Sequence, residues 1–141
     1  MAIVTNQAGI GRGYYSEEQF HELTAWMCER FEHYDAPIDK VYYSPYHPTA
    51  GIGEYRQHED TRKPGAGMIL KAQRELGLSL EDSVLIGDKA SDILAGIAAG
   101  VGLNILFSAD FPAALTGLCY VRVCSLMSAI SCLKGATTAR A

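Results

Sequence analysis

The sequence predicts an α/β fold, a mostly parallel sheet with helices on both faces, and two observations carry that prediction. Short apolar or β-branched runs at 2–4, 38–44, 84–86, 103–107 and 120–123 alternate with stretches of helical periodicity. The residues that follow these runs are chemical rather than structural: Thr5-Asn6, Arg62-Lys63 and Gly87-Asp88-Lys89. In open parallel sheets, ligands bind beyond the carboxyl ends of the strands, which puts these three segments on one face.

Each element has a local cause. The apolar run at 2–4 ends at Thr5-Asn6-Gln7 and leads into Ala8-Gly9-Ile10-Gly11-Arg12-Gly13, read as a loop whose glycines permit close approach to a ligand. Ser16 with Gln19 three residues on is a capping-box signature for a helix reaching about Tyr34. Phe20, Leu23, Trp26, Met27 and Phe31 recur at helical spacing, and Phe20, Trp26 and Phe31 are expected in the core. Asp35-Ala36-Pro37 stops that helix, and Tyr42-Tyr43 in the next strand fit either a pocket wall or strand-end packing, as does Tyr46. Residues 45–64 form a polar connection of about twenty residues, a length that is usually functional or disordered. A helix follows from Gly67-Met68, with Met68, Ile69, Ala72 and Leu76 on one face and Gly77 as its stop. The strand at 84–86 precedes a helix at 90–99 capped by Gly100, then strands at 103–107 and 120–123 and a final helix at about 125–133.

Bulk properties narrow the function. A chain of 141 residues with 48% hydrophobic and 20% charged side chains is a single globular domain, 1–141. A net charge of −4 without charge blocks argues against nucleic acid as a partner. No apolar run approaches the length of a membrane span, and no secretory signal precedes the first strand. Cys28, Cys119, Cys124 and Cys132 form no Cys-x-x-Cys pair, which suits reduced thiols and a cytoplasmic protein.

The chemistry-bearing segments point to a hard cation and a phosphate. Asp88 and Asp92 flank Lys89 at the end of a buried strand, and magnesium prefers one or two carboxylates shared with a substrate phosphate. Thr5 and Asn6 offer a hydroxyl and an amide to a phosphate oxygen, although a self-satisfied turn explains them equally well. Gly9-Ile10-Gly11-Arg12-Gly13 fits either a simple turn or a backbone concavity with an arginine for an anion. Arg62-Lys63-Pro64 stands directly before a helix, a placement that favours phosphate binding over a solvated basic pair. His47 and His58 share one loop, but no cysteine lies between residues 29 and 118 to build a thiolate zinc site there. They read as surface histidines.

Four segments in order resemble one family. Val4-Thr5-Asn6-Gln7-Ala8-Gly9-Ile10-Gly11-Arg12-Gly13, Ser44-Pro45-Tyr46-His47-Pro48, Arg62-Lys63-Pro64 with Gly67-Met68, and Ile86-Gly87-Asp88-Lys89-Ala90-Ser91-Asp92 are similar to the haloacid dehalogenase superfamily. Within it the chain most resembles the D-glycero-D-manno-heptose 1,7-bisphosphate phosphatases, with histidinol-phosphate phosphatases as near relatives. The resemblance implies a Rossmann-like sheet and a magnesium-dependent phosphatase acting through an aspartyl-phosphate. It implies that Thr5 and Lys63 hold the transferring phosphoryl group, and that Asp88 binds Mg2+ with Asp92 in support. It further implies that Asn6, Arg62 and Lys89 serve the substrate, a small phosphorylated sugar handled by a monomer.

Two departures accompany it. The family's opening Asp-x-Asp motif, which supplies nucleophile and acid/base, is absent from the 141 residues. A sheet without that first, central strand and a chain inactive as given are the expected consequences, as for a fragment. In residues 44–64 the family's zinc ligands are matched by Ser44, Tyr46, Glu59 and Thr61, so zinc is not expected and the loop is expected to be less ordered without it. The alternatives are a non-catalytic phosphate-binding module, favoured by the missing aspartates, and a histidinol-phosphate-type specificity, favoured by the altered loop.

Overall fold

Strand pairing follows the apolar runs. In the computed structural model, which describes residues 1–138, β1 (Ala2–Asn6) runs parallel to β2 (Lys40–Ser44), with Val4 opposite Tyr42. β3 (Val84–Gly87) pairs with β4 (Leu103–Phe107), and β4 with β5 (Val121–Val123), again in parallel. The strands therefore form two sheets, β1-β2 and β3-β4-β5, with no ladder joining β1 to β3 among the described residues.

A common helical layer carries both sheets. The helices are α1 (Ala8–Gly11), α2 (Glu17–His33), α3 (Gly67–Leu76), α4 (Ala90–Ala99) and α5 (Leu126–Thr138). Val4 of β1 and Leu85 of β3 pack against the same buried group, Ile69 and Leu80 with Ala95 and Val101. Tyr42 packs on Met68 and Ala72 of α3. Strand side chains alternate between faces, so neighbouring Tyr43 points away from α3 and meets Phe20 of α2, ring centroids 4.6 Å apart. Ile93, Leu106 and Leu115 form a further cluster, and Ile105, Val123 and Ala129 fill the space under α5. Helices thus cover both faces, which establishes the α/β class.

Caps behave as their sequences direct. Ser16 Oγ accepts from the Gln19 amide at 3.1 Å while Gln19 Oε1 accepts from the Ser16 amide at 2.9 Å. Gly100 ends α4 at φ 83°, a left-handed conformation that glycine adopts without Cβ strain.

Three expectations change. The first half of the glycine segment is a helical turn rather than a loop, because burial of Ile10 and an Arg12 N–H bond to the Ala8 carbonyl close it. The helical face of α2 is core only at Phe20; Trp26 is 57% exposed and Phe31 39%. The β1-β2 sheet under α2 is two strands wide, so the rest of that face has little to pack on, and Trp26 lies beneath the Arg30 guanidinium instead. α5 runs on to Thr138, beyond the expected end. Among the described residues no helix is long and apolar enough to cross a membrane.

Candidate active site

Three chain segments meet at Lys63. Asn6, the last residue of β1, grips the Lys63 backbone from both sides: its Nδ2 donates to the Lys63 carbonyl and its Oδ1 accepts from the Lys63 amide, each at 3.0 Å. The Lys63 ammonium then reaches back to donate to the Val4 carbonyl at 2.8 Å and pairs with Asp92 Oδ1 at 2.6 Å. Asp92 Oδ2 accepts from the Lys89 amide at 2.9 Å, which ties the β3–α4 turn to the same centre. Gly87 makes this approach possible, since a Cβ there would lie 2.3 Å from Asp92 Cβ and 2.7 Å from its carboxylate. The pair is shielded, with side-chain exposures of 11% and 8%.

Beside it opens a cavity of about 400 Å³, lined by Asn6, Arg12, Arg62, Lys63, Lys89 and Ser91 among others. That volume suits a small ligand. Four cations line the cavity, and only Lys63 of the four is ion-paired, to Asp92, among the described residues. The field in the cavity is therefore positive, and its natural occupant is an anion. Arg62 Nη1 donates to the Tyr46 carbonyl at 3.0 Å; burial, and then the Arg12 charge, hold its pKa below the usual arginine value.

The structure thus gathers Asn6, Arg62, Lys63, Lys89 and Asp92, but not every expected residue. Thr5 lines a separate groove of about 490 Å³ with Ile3, Leu23 and Met27. Its hydroxyl accepts from Gln7 Nε2 at 3.0 Å, and Gln7 Oε1 accepts from the Tyr15 hydroxyl at 2.5 Å. Tyr15 lines both spaces. Asp88 is exposed and lies outside the cavity lining. Asn6 lines the cavity, yet its amide is committed to Lys63, so it positions that residue. Gln7, Tyr15 and Ser91 were not singled out by their sequence context, although Ser91 sits beside Asp92 in the first turn of α4.

Hydrogen bonds run within the 44–64 connection and from it to Gly11. Thr61 Oγ1 donates to Ser44 Oγ at 3.3 Å, directly between two of the positions matched to zinc ligands. The His47 amide donates to the Tyr55 carbonyl at 3.0 Å, Arg56 Nε to the Gly51 carbonyl at 2.9 Å, and the Ile52 amide to the Gly11 carbonyl at 2.8 Å. The Tyr46 and Tyr55 rings lie 6.1 Å apart. Among the described residues no group of three His, Cys, Asp or Glu is placed to hold a metal.

His47 is part of that loop's frame, because its Nδ1 accepts from the Ala50 amide at 3.0 Å and must be unprotonated to do so. Desolvation, then Arg62 and Arg12, lower its pKa from 6.5. A histidine whose folded pKa is depressed stabilises the fold above its unfolded value and loses that contribution as pH falls through the folded one. The wild-type urea midpoint is expected to drop between pH 7.5 and pH 5 by more than that of His47→Gln; equal drops contradict this placement.

Relatives bear the same architecture. A HAD-hydrolase-like family model matches residues 60–104, the span from the Arg62-Lys63 segment through Asp92. The chain is 56% identical over 104 residues to a D-glycero-alpha-D-manno-heptose-1,7-bisphosphate 7-phosphatase of Burkholderia mallei, covering 74% of this chain and 55% of that protein. The resemblance to the haloacid dehalogenase superfamily read from the sequence holds in both matches. A crystal structure of a HAD-like phosphatase from Mesorhizobium loti superposes with TM-score 0.78 at 30% identity, covering 96% of this chain and 64% of that one. The D,D-heptose 1,7-bisphosphate phosphatase of B. bronchiseptica, complexed with magnesium and phosphate, shares the fold with TM-score 0.63 at 24% identity over 74% of this chain and 54% of its own. The chain spans 55–60% of the length of these curated relatives.

Proposed function

We propose that these 141 residues form the phosphate-binding part of a magnesium-dependent, cytoplasmic phosphatase for a small phosphorylated sugar, acting on the 7-phosphate of D-glycero-D-manno-heptose 1,7-bisphosphate. The observation that carries this reading is the cationic cavity in which Lys63, fixed by Asn6 and Asp92, stands with Arg62 and Lys89. The 56% identity to a heptose bisphosphate 7-phosphatase supports the substrate class.

Asp88 fits magnesium as one oxygen ligand, since it is exposed at the end of β3 and makes no ion pair among the described residues. Asp92 supports the turn between them. Bound there, the ion would neutralise charge building on the phosphoryl oxygens. Lys63 places an ammonium at the same centre, and Lys89 and Arg62 draw the anionic substrate in from solvent. The chain contains no Asp-x-Asp pair to attack phosphorus or to move the proton. The break in the ladder between β1 and β3 is consistent with a sheet that lacks the strand bearing such a pair.

The expected result is inorganic phosphate binding by the 141-residue chain, seen by calorimetry, with no magnesium-dependent phosphate release from heptose 1,7-bisphosphate. Removing a covalent nucleophile costs roughly four to six powers of ten in rate. Turnover at ordinary enzyme rates would refute the proposed division of labour, and absence of phosphate binding would refute the cavity's role. The missing aspartates also favour a second reading, a phosphate-binding module without catalysis; it shares the binding result and differs in that no complement of aspartates restores turnover.

A further inference from the structure

The cavity lining holds cations of two kinds. Lys63 is neutralised by Asp92, and Lys89 begins the turn into α4. Arg12 and Arg62 line the same cavity, and Arg62 is tied to the Tyr46 carbonyl through Nη1 at 3.0 Å; the Arg12 charge lowers the Arg62 pKa, and both lower that of His47. Neither arginine has a carboxylate within 4 Å among the described residues. Arg12 Nε is buried with no hydrogen-bond partner, a state that costs free energy unless an acceptor arrives.

The fold holds Arg12 there. It follows α1, whose turn closes by the Arg12 amide on the Ala8 carbonyl at 3.0 Å. Gly11 is wedged against the loop, where a Cβ would meet the Pro45 carbonyl at 2.4 Å and Tyr55 Cβ at 2.8 Å. The Gly11 carbonyl in turn accepts from the Ile52 amide. Two guanidinium groups kept together without a counter-charge form a fork-shaped receptor for a second anionic group.

We propose that Arg12, together with Arg62, binds the non-reacting phosphate of a doubly phosphorylated sugar, so that Arg12 sets the preference for a bisphosphate over a monophosphate. This rests on the reading that Lys63 takes the reacting phosphate. The assignment divides one positive cavity into two anion positions and gives the buried Arg12 Nε its acceptor.

Calorimetry on the full 141-residue chain with three probes tests it: inorganic phosphate, heptose 7-phosphate and heptose 1,7-bisphosphate. Wild type is expected to prefer the bisphosphate to the monophosphate. In Arg12→Gln that affinity ratio is expected to fall roughly 10- to 100-fold, the worth of charge-assisted hydrogen bonds to one phosphate. Arg12→Lys, which keeps the charge and loses the fork, is expected to recover part of the ratio, and Arg62→Gln supplies an independent second variant should Arg12→Gln fail to fold. Lys63→Met is expected to weaken all three probes. Equal loss for both sugars in Arg12→Gln, or no wild-type preference for the bisphosphate, overturns the assignment while leaving the Lys63 reading intact. Wild type binding none of the probes overturns both.

Discussion

Lys63→Met is expected to weaken phosphate binding and to lower the unfolding free energy by about 3 kcal/mol, the scale for breaking a shielded ion pair. Two contacts end at that ammonium. Asp92 is left 8% exposed with a carboxylate that has lost its counter-ion. The Val4 carbonyl on β1 loses its bond from the Lys63 ammonium, which ties that strand to the Lys63 side chain. Asp92 continues to accept from the Lys89 amide, so the β3–α4 turn survives and the fold is weakened rather than rearranged. Removing both charges should cost less than removing one: in Lys63→Met with Asp92→Leu, the buried charge is gone and part of the loss returns. Urea denaturation measures this. A loss below about 0.5 kcal/mol for Lys63→Met would mean the bridge behaves like an exposed surface pair.

How much of this centre the sequence disclosed depends on the range of the interaction. Ser16 with Gln19, and Gly100 after α4, are local signals, and both form the caps their spacing implies. The Asn6 grip on Lys63 spans 57 residues, and no periodicity encodes it. Strand alternation did contain one unused clue. In β1, Asn6 shares a face with Val4, whereas Thr5 shares one with Ile3, so Thr5 and Asn6 were bound to point into different spaces. Trp26 and Phe31 show a related limit: periodicity reports which residues share a face, but what lies opposite that face is set by sheet width. The 44–64 loop shows a third limit: the bond between Ser44 and Thr61, and backbone pairings such as His47 to Tyr55, are invisible in composition.

Gly96→Ala in α4 is expected to destabilise the fold by about 3 kcal/mol, opposite in sign to the usual effect of replacing a helical glycine. In an exposed helix the change gains about 1 kcal/mol through propensity. Here the new Cβ would lie 2.0 Å from Asn104 Oδ1 and 3.3 Å from Leu85 Cδ1. Asn104 is 5% exposed on β4, and its amide holds the Val101 carbonyl through Nδ2 at 3.0 Å. Moving that amide aside breaks a buried hydrogen bond, at about 1–3 kcal/mol, and the crowded helix–sheet contact adds a similar cost. Asn104 Oδ1 already lacks a partner among the described residues, so the side chain has no second bond to hold it against displacement. The obstruction therefore resides in one amide, and its removal should be separable from the rest. Asn104→Ala opens the space that the added methyl needs, so the double variant is expected to lose less than the sum of the two single losses. Additive losses, or a rise in thermal midpoint for Gly96→Ala alone, would show that α4 stands further from β4 than this contact requires.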